Sequence, residues 1–108
     1  MDAVERQVEA YNAHDADAFA ECYARDVVIE NADGTVRVEG REALRTGYEK
    51  LFADKPSLHA EIASRIRVGR WVVDEERVIV DRAEDELHAV AIYLLGDDGL
   101  IERVRFLP

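Results

Sequence analysis

At 108 residues, 48% hydrophobic and 35% charged, the chain can bury one hydrophobic core but not two, and residues 1–108 read as a single globular domain rather than a disordered or multidomain protein. Twenty-four acidic residues against 14 basic ones give a net charge of −10, a field that repels phosphate backbones and anionic membranes and so argues against nucleic acid as a partner. No apolar run approaches the roughly 20 residues of a membrane span, and the charged start MDAVERQVEA lacks a signal peptide's apolar centre, so the expectation is a cytoplasmic protein without membrane contact.

In chain order, Asp2 and Glu5 have capping-box spacing, and Val4, Val8 and Tyr11 fall at i, i+4 and i+7, which predicts an amphipathic first helix. Asn12-Ala13-His14 stops it, and Asp15 is a good N-cap for a second helix with Phe19, Cys22 and Tyr23 on one stripe. Arg25-Asp26 then breaks the pattern, and β-branched Val27-Val28-Ile29 opens a strand running to Asn31. The one cysteine, Cys22, has no internal disulfide partner and reads as a buried thiol. Ala32-Asp33-Gly34 signals a tight turn and Thr35 to Val38 a short return strand. Gly40 opens a third helix, with Leu44, Tyr48, Leu51 and Phe52 at helical spacing, which ends before Pro56.

From Leu58 the period changes to two. Leu58, Ala60, Ile62, Ser64, Ile66 and Val68 alternate with His59, Glu61, Ala63, Arg65 and Arg67, which predicts a strand with one buried and one polar face. Gly69-Arg70 is a turn. Trp71-Val72-Val73 and Val78-Ile79-Val80 are strand-like runs, and the acidic Asp74-Glu75-Glu76 between them reads as a bulge or bend. The tract DRAEDELH reads as a hairpin turn. His88 to Leu95 is apolar on both faces, as a central strand would be, and Asp97-Asp98-Gly99 turns the chain into a last strand from Leu100 to Leu107.

Three helices followed by antiparallel strands make an α+β pattern, in which a curved, mainly antiparallel sheet wraps its concave face around the N-terminal helices and leaves a conical cavity. The stretch YNAHDADAFAECYARDVVIEN, Tyr11 to Asn31, resembles the opening of SnoaL-like domains of the nuclear-transport-factor-two-like superfamily, relatives of ketosteroid isomerases and polyketide cyclases. The resemblance extends over nearly the whole chain. It implies a cystatin-like cone whose cavity is the active or binding site, and a homodimer formed through the convex sheet face. His59, Arg65 and Arg67, the polar alternates, are expected on that convex face.

Ketosteroid isomerases use a carboxylate to move a proton and two neutral donors, a tyrosine and a protonated aspartic acid, to hold the enolate oxygen. Matched motif by motif, the tyrosine falls on Gln7, the base on Asn31 and the protonated aspartic acid on Ala91, so all three reacting groups are missing. Asn31 can hydrogen-bond a carbonyl or hydroxyl but cannot take a proton near neutral pH. Tyr23 and Tyr48 match supporting tyrosines of some family members, but the preferred reading is that they are packing residues with a satisfied hydroxyl. Tyr93 has the inward parity of Ala89 and Ala91. The resemblance thus implies a ligand pocket of Gln7, Tyr11, Asn31, Tyr48, Ala91, Tyr93 and Phe106, with no catalytic base identified.

Other chemistries find little support. Glu30 alternates to the far face of its strand, His59 sits among charged residues, His14 lies in the elbow, and His88 begins a strand without an evident partner. Metal-ligand spacing is confined to Asp81, Glu84, Asp85 and His88, within the turn tract, so neither a metal nor another cofactor is expected. Neither a phosphate-binding glycine loop nor a G-x-S-x-G elbow is present, and Ser57 and Ser64 have no adjacent base. The expected function is binding of a small apolar or oxygenated molecule. The alternative is an isomerase, cyclase or dehydratase acting on a steroid- or polyketide-like substrate with a non-standard base. An ionisable group inside the cone would favour turnover, and a neutral lining would favour binding alone.

Overall fold

The computed structural model of the chain describes residues 1–108 apart from the side chain of Ala83. Helix α1 (Ala3–Asn12) starts at the Asp2 cap, where Asp2 and Glu5 each accept a hydrogen bond from the other's backbone N–H in a full capping box. Helix α2 (Ala16–Glu21) is capped by the Asp15 carboxylate. It is shorter than its apolar stripe suggests, because Tyr23 already belongs to strand β1 (Tyr23–Glu30). Phe19 and Tyr23 are both buried all the same, across the helix-to-strand junction.

Strand β2 (Val36–Glu39) pairs back on β1, and helix α3 (Arg41–Asp54) follows from Gly40. The remainder is sheet: β3 (His59–Val68), β4 (Trp71–Ile79), β5 (Leu87–Leu95) and β6 (Ile101–Leu107), with one 3-10 turn (Ala83–Asp85) inside the β4–β5 hairpin connection. The six strands lie in the order β2-β1-β6-β5-β4-β3. Every neighbouring pair is antiparallel except β1 and β6, which run parallel and join the two ends of the chain. The fold is therefore α+β, with the helices in the hollow of a mixed, mostly antiparallel sheet. The core between them is built from Val4, Phe19, Val27, Ile29, Leu44, Val72, Ile101 and Val104, all essentially inaccessible to water. None of the helices among the described residues is long and apolar enough to cross a membrane.

Two features of β3 and β4 depart from the sequence pattern. The acidic run neither bends nor interrupts β4: residues Trp71 to Ile79 form one continuous strand, because β3 and β5 on either side satisfy its backbone throughout. The irregularity is on β3, where Ile62 faces Glu76 but Ser64 faces Glu75, so Ala63 is an extra residue and the alternation reverses after it. Arg65 and Arg67 consequently lie on the concave side and not on the convex one. Arg65 makes a two-pronged pair with Asp74 at 2.6 and 2.9 Å, and Arg67 pairs with Asp2 and Glu5 of α1. The convex side receives Ile66 and Val68 instead. His59, before the bulge, keeps its expected exposed position.

Candidate functional site

Between the helices and the sheet lies a cavity of about 750 Å³, within the range of small-molecule sites. Its depth can be followed along two paired strands. On β5 the inward residues run Leu87, Ala89, Ala91, Tyr93, and on β4, opposite them, Val78, Glu76, Asp74, Val72. Leu87 is 56% exposed and Asp74 is 0% exposed, so the mouth is at the Leu87 end and the floor near Tyr93. The loop of Asn31, Ala32 and Asp33 rims the mouth together with Arg37 of β2 and Pro108.

At the floor, Gln7 joins two buried tyrosines. Its amide oxygen accepts from the Tyr23 hydroxyl at 3.2 Å, and its amide nitrogen lies 3.1 Å from the Tyr93 hydroxyl and 3.1 Å from the Val4 carbonyl. A carbonyl oxygen only accepts, so Val4 fixes the amide with its NH2 on the Tyr93 side. Tyr93 therefore accepts from Gln7 and keeps its own O–H available for a group in the cavity. Burial pushes both phenols well above their ordinary pKa, and for Tyr93 the Glu76 and Asp74 carboxylates add to the effect. They remain neutral donors.

The helix-side wall is aromatic. Phe19 packs against Tyr48 and Tyr23 with ring centroids 4.5 and 5.0 Å apart, and Tyr11 meets Phe52 edge to face at 5.5 Å. The Tyr11 and Tyr48 hydroxyls bond to no group among the described residues, yet no fully buried polar atom there lacks a partner, so both hydroxyls open into the cavity. Burial raises both pKa values, that of Tyr48 to about 12.

Opposite these rings is Glu76, on the inward face of β4. Its carboxylate has neither a hydrogen bond nor an ion pair with any described residue. Burial, and behind it the charge of Asp74, push its pKa up to about 7. Asp74 itself is locked by Arg65. An unpartnered carboxylate of this kind, in an apolar cavity, is poised to exchange protons at neutral pH.

Of the residues expected in the pocket, Gln7, Tyr11, Asn31, Tyr48, Tyr93 and Phe106 line the cavity. Ala91 is completely buried behind the wall, its methyl flanked on that face by the larger Asp74 and Phe106. Asn31 stands at the mouth, bonded to Thr35 and Arg37, away from the floor. Glu30 is turned to the other face and pairs with Arg105 at 3.2 Å. His88 has a partner that the sequence did not reveal, the Glu75 carboxylate at 2.6 Å, which also accepts from Ser64. His14 bonds the Leu58 carbonyl and stacks on Phe52. No cluster of His, Cys, Asp or Glu among the described residues could hold a metal ion.

Glu76 is the residue that the sequence reading missed. Its signal was the alternation Val72, Asp74, Glu76, Val78, Val80, which puts two acids on the buried parity of a strand whose other inward residues are valines.

The chain is similar to an uncharacterised cystatin-fold protein from Novosphingobium aromaticivorans, with 31% identity, a TM-score of 0.89, and 98% of this chain and 95% of that one covered. A computationally designed 17-OHP binder shares the fold at TM-score 0.83 and 20% identity, with 98% and 88% covered. So does a SnoaL-like protein of unknown function from Burkholderia thailandensis, at TM-score 0.80 and 20% identity, with 96% and 89% covered. No curated protein matches the sequence. The SnoaL-like domain model matches residues 4–104, and with the 31% identical relative of the same fold it shows that this chain belongs to the SnoaL-like domain family.

Proposed function

We propose that this domain is an enzyme that moves a proton on an apolar, oxygenated small molecule, with Glu76 as the base. The observation that carries this reading is the unpartnered Glu76 carboxylate inside the cavity, its pKa pushed up to about 7. Glu76 removes a proton from the carbon beside a carbonyl, and the C–H electron pair moves into the carbonyl group to give an enolate. The Tyr93 O–H, which has no acceptor among the described residues, donates to the enolate oxygen, with the Tyr48 hydroxyl as a second donor. Where a C=C lies β,γ to the carbonyl the enolate is a dienolate, and return of the proton from Glu76 to its γ carbon shifts the double bond into conjugation, re-forms the carbonyl and restores the carboxylate. The same steps open a cyclisation or a dehydration. The designed 17-OHP binder of the same fold makes a rigid polycyclic ketone a reasonable first ligand to try.

The test is carbon-bound proton exchange, followed by NMR in D2O over a panel of cyclic unsaturated ketones. We expect exchange that Glu76→Gln lowers at least 100-fold while binding persists. Ligands that bind without exchange would leave a binding protein without turnover, and exchange that survives Glu76→Gln would refute Glu76 as the base.

We also propose that two copies pair through the convex sheet face. Ile66, Val68 and Trp71 are 60%, 67% and 46% exposed there, and the sheet register puts Val73, Ile92 and Leu94 beside them. That is a contiguous apolar stripe on a strongly charged protein. Light scattering should give a dimer that Trp71→Glu splits, and a monomeric wild type would refute it.

A further inference from the structure

Arg37 is the single cation among the residues that line the cavity, in a protein of net charge −10. It stands at the mouth, on β2, and two contacts hold it over the opening. Its Nε donates to the Asn31 side-chain oxygen at 2.9 Å, and its guanidinium carbon lies 5.2 Å from the centre of the Phe106 ring, which is itself part of the cavity wall. Nε is thus occupied and the cation sits over the Phe106 ring, while its two terminal nitrogens make no hydrogen bond or ion pair with any described residue. The acid nearest in the rim, Asp33, accepts instead from the Thr35 N–H at 3.0 Å and the Thr35 hydroxyl at 2.7 Å. A guanidinium anchored through Nε with both terminal nitrogens free is the fork that receives a carboxylate through two parallel hydrogen bonds.

The interior carries the opposite sign. Glu76 lies one inward step deeper than Val78 and Leu87, and Asp74 lies one step beyond it. An acidic ligand entering with its charge foremost would meet these carboxylates in a poorly solvated space. The same ligand entering with its apolar body foremost leaves its charge beside Arg37 and puts its carbon skeleton between the tyrosines and Glu76.

Building on the proton-transfer reading above, we infer that the natural ligand is an apolar carboxylic acid, held at the mouth by Arg37 with its hydrocarbon body directed inward. The net negative charge of the protein works against any anion, so a preference for an acid over its neutral twin would have to arise locally.

The test uses naphthalene-2-carboxylate and naphthalene-2-carboxamide, titrated by calorimetry at pH 8, with the backbone amide shifts of Ala89 and Phe106 locating the bound molecule. Wild type should bind the carboxylate about tenfold more tightly than the carboxamide, the scale of one charge-assisted contact. Arg37→Gln should abolish that preference, weakening the carboxylate far more than the carboxamide, and Arg37→Lys should keep part of it. Arg37 is exposed, so these variants should fold, and an unchanged Tm verifies this. Equal affinities in wild type, or a preference that survives Arg37→Gln, would overturn the acid-binding inference and leave the Glu76 reading standing. If neither compound shifts Ala89 or Phe106, the acid-binding inference also falls, and the Glu76 reading stands or falls on proton exchange with the ketone panel.

Discussion

Gln7 donates to the Tyr93 hydroxyl while its own amide oxygen accepts from Tyr23, so one side chain gives direction to a chain of three polar groups at the cavity floor. The position that the family comparison assigns to a tyrosine holds the residue that orients two others. Gln7→Leu would strip the acceptor from Tyr23 and the donor from Tyr93. Chemical denaturation should show a loss of about 2 kcal/mol, the cost of stranding a buried polar group. Tyr93→Phe should cost less stability and more turnover.

Glu76 makes stability fall as pH rises. Its folded pKa of about 7 lies above the ordinary value of 4.5, so between those limits the folded state binds more protons than the unfolded one. Stability should therefore decline from about pH 4.5 and level off above pH 7, by about 2 kcal/mol once the open cavity's solvent is allowed for. Glu76→Gln should flatten that decline and stabilise the protein at pH 8. A stability profile of the variant that keeps the wild-type slope would place the titration elsewhere. Activity should run the other way and rise through neutral pH as the base ionises.

Arg65 neutralises Asp74, which is wholly inaccessible to water. Removing the guanidinium with Arg65→Ala leaves a buried charge alone and should cost about 3–5 kcal/mol, read from urea midpoints. Asp74→Asn removes a like charge from beside Glu76. It should lower the apparent pKa of Glu76, seen as a shift of the pH–activity midpoint to more acidic values.

Two glycines should respond oppositely to alanine. Gly40 has φ +91° where it caps α3, so Gly40→Ala forces a side chain into the left-handed region and should cost about 1–3 kcal/mol. Gly47 is exposed within α3, with nothing within 4 Å of an added Cβ. Gly47→Ala should stabilise by about 0.5–1 kcal/mol. Thermal unfolding of both distinguishes backbone strain from helix propensity.

The helices, the β1–β2 turn and the closing hairpin were legible in the sequence because local chemistry dictates them: the Asp2 and Asp15 caps, the helical spacing of Leu44 and Tyr48, and the turn at Asp98-Gly99. The reversal on β3 was not, since Ala63 looks like any other strand residue until β4 is laid beside it. Asp74 and Glu76 were misread for a related reason. Three consecutive acids suggest a bulge or bend, and what keeps two of them inward on a continuous strand is a cation from the neighbouring strand and a hollow that tolerates the second. At the site, the residues matched by the resemblance mostly line the cavity, while the ionisable one among them came from a strand the resemblance did not single out.

Were β3 to run through Ala63 in strict alternation, without setting it aside as an extra residue, everything downstream would change sides. The two arginines would be carried to the outer surface, Asp2 and Glu5 would lose their tether, and Ile66 and Val68 would be driven against α1. One bulge thus decides both which chemistry faces the hollow and which grease is offered to a neighbour.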